Sequence, residues 1–257
     1  MTAPDPARTS SSYQAARQQR RLRWRQLTAE FVGTAFLLAA VVGSGIVTQQ
    51  DGPASAQLFQ HAVTVGVALT ALILTFGPVS GAHFNPVVTV ADAWFGGMRW
   101  SRAGAYVVAQ VTGGIAGTIV TNATFGFAAV QVATVERVGP GQVGGEVIAT
   151  AGLILVIFGL VRSEGGRVVA GAVGAYIAAA IYFTASASFA NPAVTLARLL
   201  TDTYTGIAPV HVPGFLAGQL AGMVLAIALV AFLYDPDPQD AADVVVPHTV
   251  PTGHADG

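Results

Sequence analysis

The chain has 257 residues, 53% of them hydrophobic and 10% charged, with a formal net charge of -1 and no cysteine. The missing cysteines exclude a disulfide framework and a thiolate metal site, and mean hydropathy of +0.60 marks a polytopic membrane protein. Four stretches, 52–91, 103–135, 168–197 and 203–234, hold no Asp, Glu, Lys or Arg. The small net charge says little about partners; the lipid bilayer is the one that composition implies, with no nucleic acid and no cofactor expected.

Six arginines (Arg8, Arg17, Arg20, Arg21, Arg23 and Arg25) precede the first apolar run, 27–48. That run is long enough to span and ends without a clear cleavage site, so it reads as an uncleaved first span rather than a signal peptide. A second span follows over 59–79. Next come Asn85-Pro86-Val87-Val88-Thr89, where Asn caps a helix and Pro takes the first helical position, whose N–H would be unpaired anyway. The helix of about ten residues so begun rises roughly 15 Å, half of a hydrocarbon core of about 30 Å. Further spans are expected over 104–124, 145–161, 168–185 and 213–234. A second half-helix over 192–202 opens at Asn191-Pro192-Ala193-Val194-Thr195. Segments 1–20 and 235–257 read as tails, the latter Pro-rich and acidic (Asp235, Asp237, Asp240, Asp243).

With a cytoplasmic N-terminus, ten of the twelve arginines lie inside, including Arg99, Arg102, Arg162 and Arg167, and only Arg137 and Arg198 fall outside. The positive-inside pattern therefore puts both termini in the cytoplasm. The chain is also a repeat. Glu30-Phe31-Val32-Gly33-Thr34 matches Glu146-Val147-Ile148-Ala149-Thr150, the two Asn-Pro segments match, and Ala109-Gln110-Val111-Thr112-Gly113 matches Gly218-Gln219-Leu220-Ala221-Gly222. These landmarks recur at offsets of 116, 106 and 109 residues. Each half holds three spans, an odd number, so the second enters the bilayer inverted and the two half-helix N-termini meet at the midplane. The expected organisation is a cytoplasmic tail 1–26, a first repeat 27–124 with half-helix 86–96, an extracellular loop 125–144, a second repeat 145–234 with half-helix 192–202, and a cytoplasmic tail 235–257.

Two half-helices aimed at one point place about half a positive charge each at the bilayer centre, where low dielectric makes it count against cations. The side-chain amides of Asn85 and Asn191 offer N–H donors to a passing oxygen, while Pro86 and Pro192 pack the helix ends together. Unwound backbone at membrane depth must line a wet cavity, which points to the carbonyls of Gly81, Ala82 and His83 and of Ala187, Ser188 and Phe189. Glycines at 113, 114 and 117, and at 218 and 222, mark close helix crossings. His61, His211, His248 and His254 are too scattered for a metal site.

Ser80-Gly81-Ala82-His83-Phe84-Asn85-Pro86 and Ser188-Phe189-Ala190-Asn191-Pro192-Ala193, with Glu-x-x-x-Thr opening each half, resemble the aquaporin or major intrinsic protein family over about 27–234. The resemblance implies an all-α membrane protein with six transmembrane helices, two re-entrant half-helices and an inverted internal repeat. Such proteins are normally homotetramers with one pore per subunit, passing water or small neutral solutes; a plasma (inner) membrane location follows. It also implies that Glu30 and Glu146 accept N–H bonds from the half-helix loops as structural support, and His83 is read mainly as shaping its loop.

The family's narrowest constriction uses an arginine three residues after the second Asn, the residues three and twelve before it, and one twenty before the first Asn. Counted without gaps, those positions are Val194, Ser188, Ala179 and Val65. On this reading no arginine and no aromatic residue remains, Val87 adds bulk near the centre, and Arg198 is carried roughly 6 Å outward by a further turn. Such a filter resembles that of bacterial members linked to arsenic handling. The expected function is a passive channel for neutral solutes larger than water, such as arsenite and other metalloid hydroxides, methylated arsenicals, glycerol and urea, and not an enzyme. A water-selective aquaporin, an ion-coupled transporter with inverted repeats and a structural protein with a closed pore are the alternatives.

Overall fold

Pro, Gly and Arg punctuate the apolar runs and set the helix ends. In the computed structural model, which describes residues 6–49, 53–163 and 168–234, six long helices surround two short ones. The long helices are α1 (Pro6–Thr48), α2 (Ala54–Ser80), α4 (Trp100–Thr124), α5 (Pro140–Arg162), α6 (Val169–Phe183) and α8 (Val212–Leu233). The short ones are α3 (Pro86–Trp94) and α7 (Pro192–Ala197), the latter continued by a 3-10 turn over Arg198–Leu200. This is the expected all-α architecture with its inverted repeat. Among the described residues, five helices are long and apolar enough to cross a membrane. The sixth, α6, has 15 residues, because the chain leaves the helix at Thr184 to begin the loop that leads into α7.

One helix extends beyond its apolar run. The basic segment before the first span is helical and continuous with it, since α1 runs back to Pro6 without interruption. Residues 7–26 contain no Gly or Pro and are rich in Ala, Arg and Gln, good helix formers, and a helix already nucleated in the membrane extends through them without a new nucleation cost. The acidic segment 235–257, and Arg167 among the arginines used for orientation, lie outside the described residues.

The halves pack alike. Helix α1 lies against α4, and α5 against α8, while α2 and α6 meet between the halves. Small residues permit these approaches: a Cβ at Gly113 or Gly117 would collide with the Phe31 or Ala35 carbonyl, and one at Gly218 or Gly222 with the Val143 or Val147 carbonyl. Without a hydrophobic drive between helices in lipid, such close backbone packing is what holds the bundle. Large apolar side chains such as Phe36, Phe59, Leu74, Val120 and Phe232 are exposed on the outside, a surface suited to acyl chains.

Candidate functional site

The site is built where α3 and α7 begin. Asn85 caps α3 by accepting from the Val87 N–H at 3.1 Å, and Asn191 caps α7 by accepting from Ala193 (2.9 Å) and Val194 (3.3 Å). Each amide also reaches across. Asn85 Nδ2 donates to the Ala190 carbonyl and Asn191 Nδ2 to the Phe84 carbonyl, both at 2.8 Å, so each asparagine braces the opposite loop. Each Nδ2 carries two hydrogens, and the second remains for a solute.

The loops before the asparagines carry the same backbone conformation. Positive φ occurs at Gly81, Ala82 and Phe84 in one and at Ala187, Ser188 and Ala190 in the other, 106 residues apart at each position. For residues other than Gly this costs on the order of 1–3 kcal/mol each and persists only where surroundings over-determine it. Here two buried carboxylates do so. Glu30 Oε1 accepts from Ser80 Oγ (2.6 Å) and the His83 N–H (3.1 Å), while Oε2 accepts from the Phe84 N–H (2.8 Å) and Gln110 Nε2 (2.7 Å). Glu146 accepts from the Phe189 and Ala190 N–H groups at 2.8 Å and from Gln219 Nε2 at 2.6 Å. Gln110 and Gln219 then donate to Thr89 and Thr195, whose hydroxyls return to the Asn85 and Asn191 carbonyls. His83 is held in the same web, Nδ1 at 3.1 Å from Thr89 Oγ1 and Nε2 at 3.9 Å from Asp92.

A narrow, mainly apolar cavity of about 60 Å³ passes both asparagines. Ala82 and His83 from one loop, and Ala187, Ser188 and Phe189 from the other, line it. Gly81 does not, because α2 runs to Ser80 and Gly81 is its left-handed cap. Pro86, Pro192 and Ala193 lie behind the asparagines rather than on the wall, with the ends of α3 and α7 in contact. Val87 is buried in the core, so its bulk does not narrow the cavity; Val88, the repeat partner of Val194, lines it instead.

Of the four expected filter positions, Val65, Ser188 and Val194 line the cavity and Ala179 does not. Ala179 is exposed on the outer face of α6, while Ile177 and Ile181 reach the wall. Each residue turns a helix by about 100°, so an ungapped count that is two residues off swings a side chain to the far face. The small-residue quartet is therefore corrected: isoleucine, not alanine, is what α6 supplies. The Ser188 hydroxyl is buried without a protein partner.

Arg198, Phe189 and His61 also line the cavity, though none of them stands at one of the four counted filter positions. Arg198 is 4% exposed, its Nε donates to the Thr205 carbonyl, and its guanidinium stacks 3.4 Å from the Phe189 ring centre. Arg137 covers the same ring at 4.8 Å and donates to the Gly206 (2.9 Å) and Tyr204 (3.2 Å) carbonyls. Burial pushes the Arg137 guanidinium down to about 10, which leaves it cationic at neutral pH. The signal for Arg198 and His61 was spacing: each stands four residues from a filter valine on the same helical face.

The major intrinsic protein family model matches residues 17–167. The chain is 43% identical over 216 residues to the aquaglyceroporin AqpS of Rhizobium meliloti (strain 1021), covering 82% of this chain and 91% of that protein. It is 32% identical over 205 residues to aquaporin NIP1-3 of Oryza sativa subsp. japonica, covering 77% and 71%. The solved aquaglyceroporin from Plasmodium falciparum shares the fold, with a TM-score of 0.64 at 22% identity over 82% of this chain and 95% of that one. With more than half of its length matched and the paired asparagine half-helices in place, the chain belongs to the major intrinsic protein family.

Proposed function

We propose that this protein is a passive transmembrane channel for small neutral solutes, glycerol and water among them. The observation that carries the reading is the meeting of α3 and α7, with Asn85 and Asn191 cross-bonded to the opposite loops and facing one apolar cavity. Helix N-termini converging there oppose cations, while a free amide hydrogen on each asparagine and the loop carbonyls trade hydrogen bonds with an uncharged solute. Glu30 and Glu146 serve as loop supports rather than as transport groups, since loop N–H groups and Gln110 or Gln219 occupy both oxygens of each carboxylate.

With Val194 in the place of the usual filter arginine, Val65, Ile181 and Val194 offer apolar walls at that level and Ser188 a single hydroxyl. This favours solutes larger than water: glycerol, urea and metalloid hydroxides such as arsenite or methylated arsenicals. Ile181 makes that level tighter than an alanine would. We read the assembly as a homotetramer in the plasma (inner) membrane, with both termini cytoplasmic and the loop 125–144 outside. Shrink-and-reswell light scattering of proteoliposomes with a panel of neutral osmolytes tests the reading. Reswelling with glycerol and urea faster than in empty vesicles is expected; none with any neutral osmolyte would overturn it.

A further inference from the structure

We infer that His61 and Arg198 form a polar ring one helical turn further from the asparagine pair than Val65 and Val194, and that this ring selects for hydroxyl-bearing solutes. The inference rests on the channel reading above. Val65 and His61 stand four residues apart on α2, Val194 and Arg198 four apart on α7 and its 3-10 extension, and all four line the same cavity. One turn at about 1.5 Å per residue is roughly 6 Å. Both displaced residues lie on the same side of the centre: the His61 ring packs edge-on against Tyr204 at 6.0 Å, and Tyr204 sits in the loop whose Thr205 carbonyl holds Arg198.

The chemistry of the ring is specific. Arg198 is pinned by Thr205 and by stacking on Phe189, which itself rests edge-on against Phe215 at 4.8 Å. Among the described residues no carboxylate pairs with Arg198 or Arg137, and the Nη groups of Arg198 have no protein partner. A fixed guanidinium so left offers donors to a solute oxygen. His61 supplies the complement. Ser44 Oγ lies 2.7 Å from His61 Nδ1 and 3.2 Å from the Val41 carbonyl; with its hydrogen on Val41 it accepts from Nδ1–H. In that tautomer the other ring nitrogen, Nε2, is an acceptor. A hydroxyl group uses one donor and one acceptor, and this ring offers both, while Val65 and Val194 one turn deeper face the carbon side of a polyol. A guanidinium at this level also restores the barrier to cations that Val194 does not give.

The test uses full-length protein in proteoliposomes, with glycerol and water permeability and sodium leak measured on each preparation. Wild-type protein must pass glycerol; if it does not, the channel reading fails before the ring is tested. Given wild-type flux, Arg198→Leu is expected to lower the glycerol-to-water permeability ratio by about tenfold, as loss of one charge-assisted hydrogen bond implies. Sodium leak should rise. His61→Phe, which keeps size and removes the acceptor, should lower the ratio while leaving sodium leak low. Should Arg198→Leu fail to assemble, Arg198→Lys and His61→Phe decide: a lowered ratio in both supports the ring, and an unchanged ratio in either overturns it. Correctly assembled Arg198→Leu protein with wild-type ratio and leak would make Arg198 a loop brace only.

Discussion

Glu146→Gln tests whether the buried carboxylate holds the α7 loop. Glu146 accepts three bonds, from the Phe189 and Ala190 N–H groups at 2.8 Å and from Gln219 at 2.6 Å. Glutamine fills the same volume but replaces one acceptor oxygen with an NH2 group that faces a donor. The variant loses at least one charge-assisted bond, worth about 1.5–3 kcal/mol, and strands a buried N–H at a cost of about 1–3 kcal/mol. A loss of about 3–5 kcal/mol is a large part of a typical stability of about 5–15 kcal/mol. At about 2–4 °C per kcal/mol for a domain of roughly this size, the melting temperature should drop by about 6–20 °C. The assay is thermal unfolding of detergent-purified protein, followed by size-exclusion of the folded fraction, with glycerol flux on what remains. Glu30→Gln should behave alike, because Glu30 makes the equivalent bonds plus one from Ser80. A Glu146→Gln protein with unchanged melting temperature and unchanged flux would refute the reasoning outright.

The α6 register gives a second test: Ile181→Ala should speed reswelling with the larger neutral osmolytes, whereas Ala179→Leu, on the exposed face, should leave the osmolyte ranking as it is. Replacing Asn85 with Asp puts a carboxylate against the α3 and α7 N-termini, so sodium leak measured by flux into vesicles should rise and glycerol flux fall; unchanged values in folded protein would remove Asn85 from the path. Gly222→Val adds a side chain against the Val147 carbonyl between α5 and α8, and should abolish the monodisperse size-exclusion peak.

Much of this was legible because the signals were local. Pro after Asn fixed the half-helix starts, and α3 and α7 begin at Pro86 and Pro192 as expected. The carboxylates showed themselves as charges inside apolar spans, and Gln110 and Gln219 as matched polar positions in the repeat. What failed depended on rotation and depth. Ala179 was reached by counting back through a loop, and two residues of slippage turned the side chain to the outside. Val87 and Val88 are adjacent, and only the helix phase decides which one meets the cavity. Arg198 stands one turn beyond Val194 as counted, but the contacts of its long side chain with Phe189 and Thr205 do not follow from distance along the helix. The basic segment before the first span reads as polar, and helix propensity with continuity to the first span carries α1 back to Pro6.

Passive conduction of neutral solutes is the central claim, and uptake of radiolabelled glycerol into proteoliposomes, with and without ionophores that abolish proton and sodium gradients, tests it most directly. Uptake that is rapid, does not saturate with glycerol concentration, stops at equal concentrations inside and out, and is indifferent to the ionophores is the predicted result. Accumulation above the external concentration, or uptake that collapses when either gradient is dissipated, would contradict it and assign the inverted repeat to a coupled transporter.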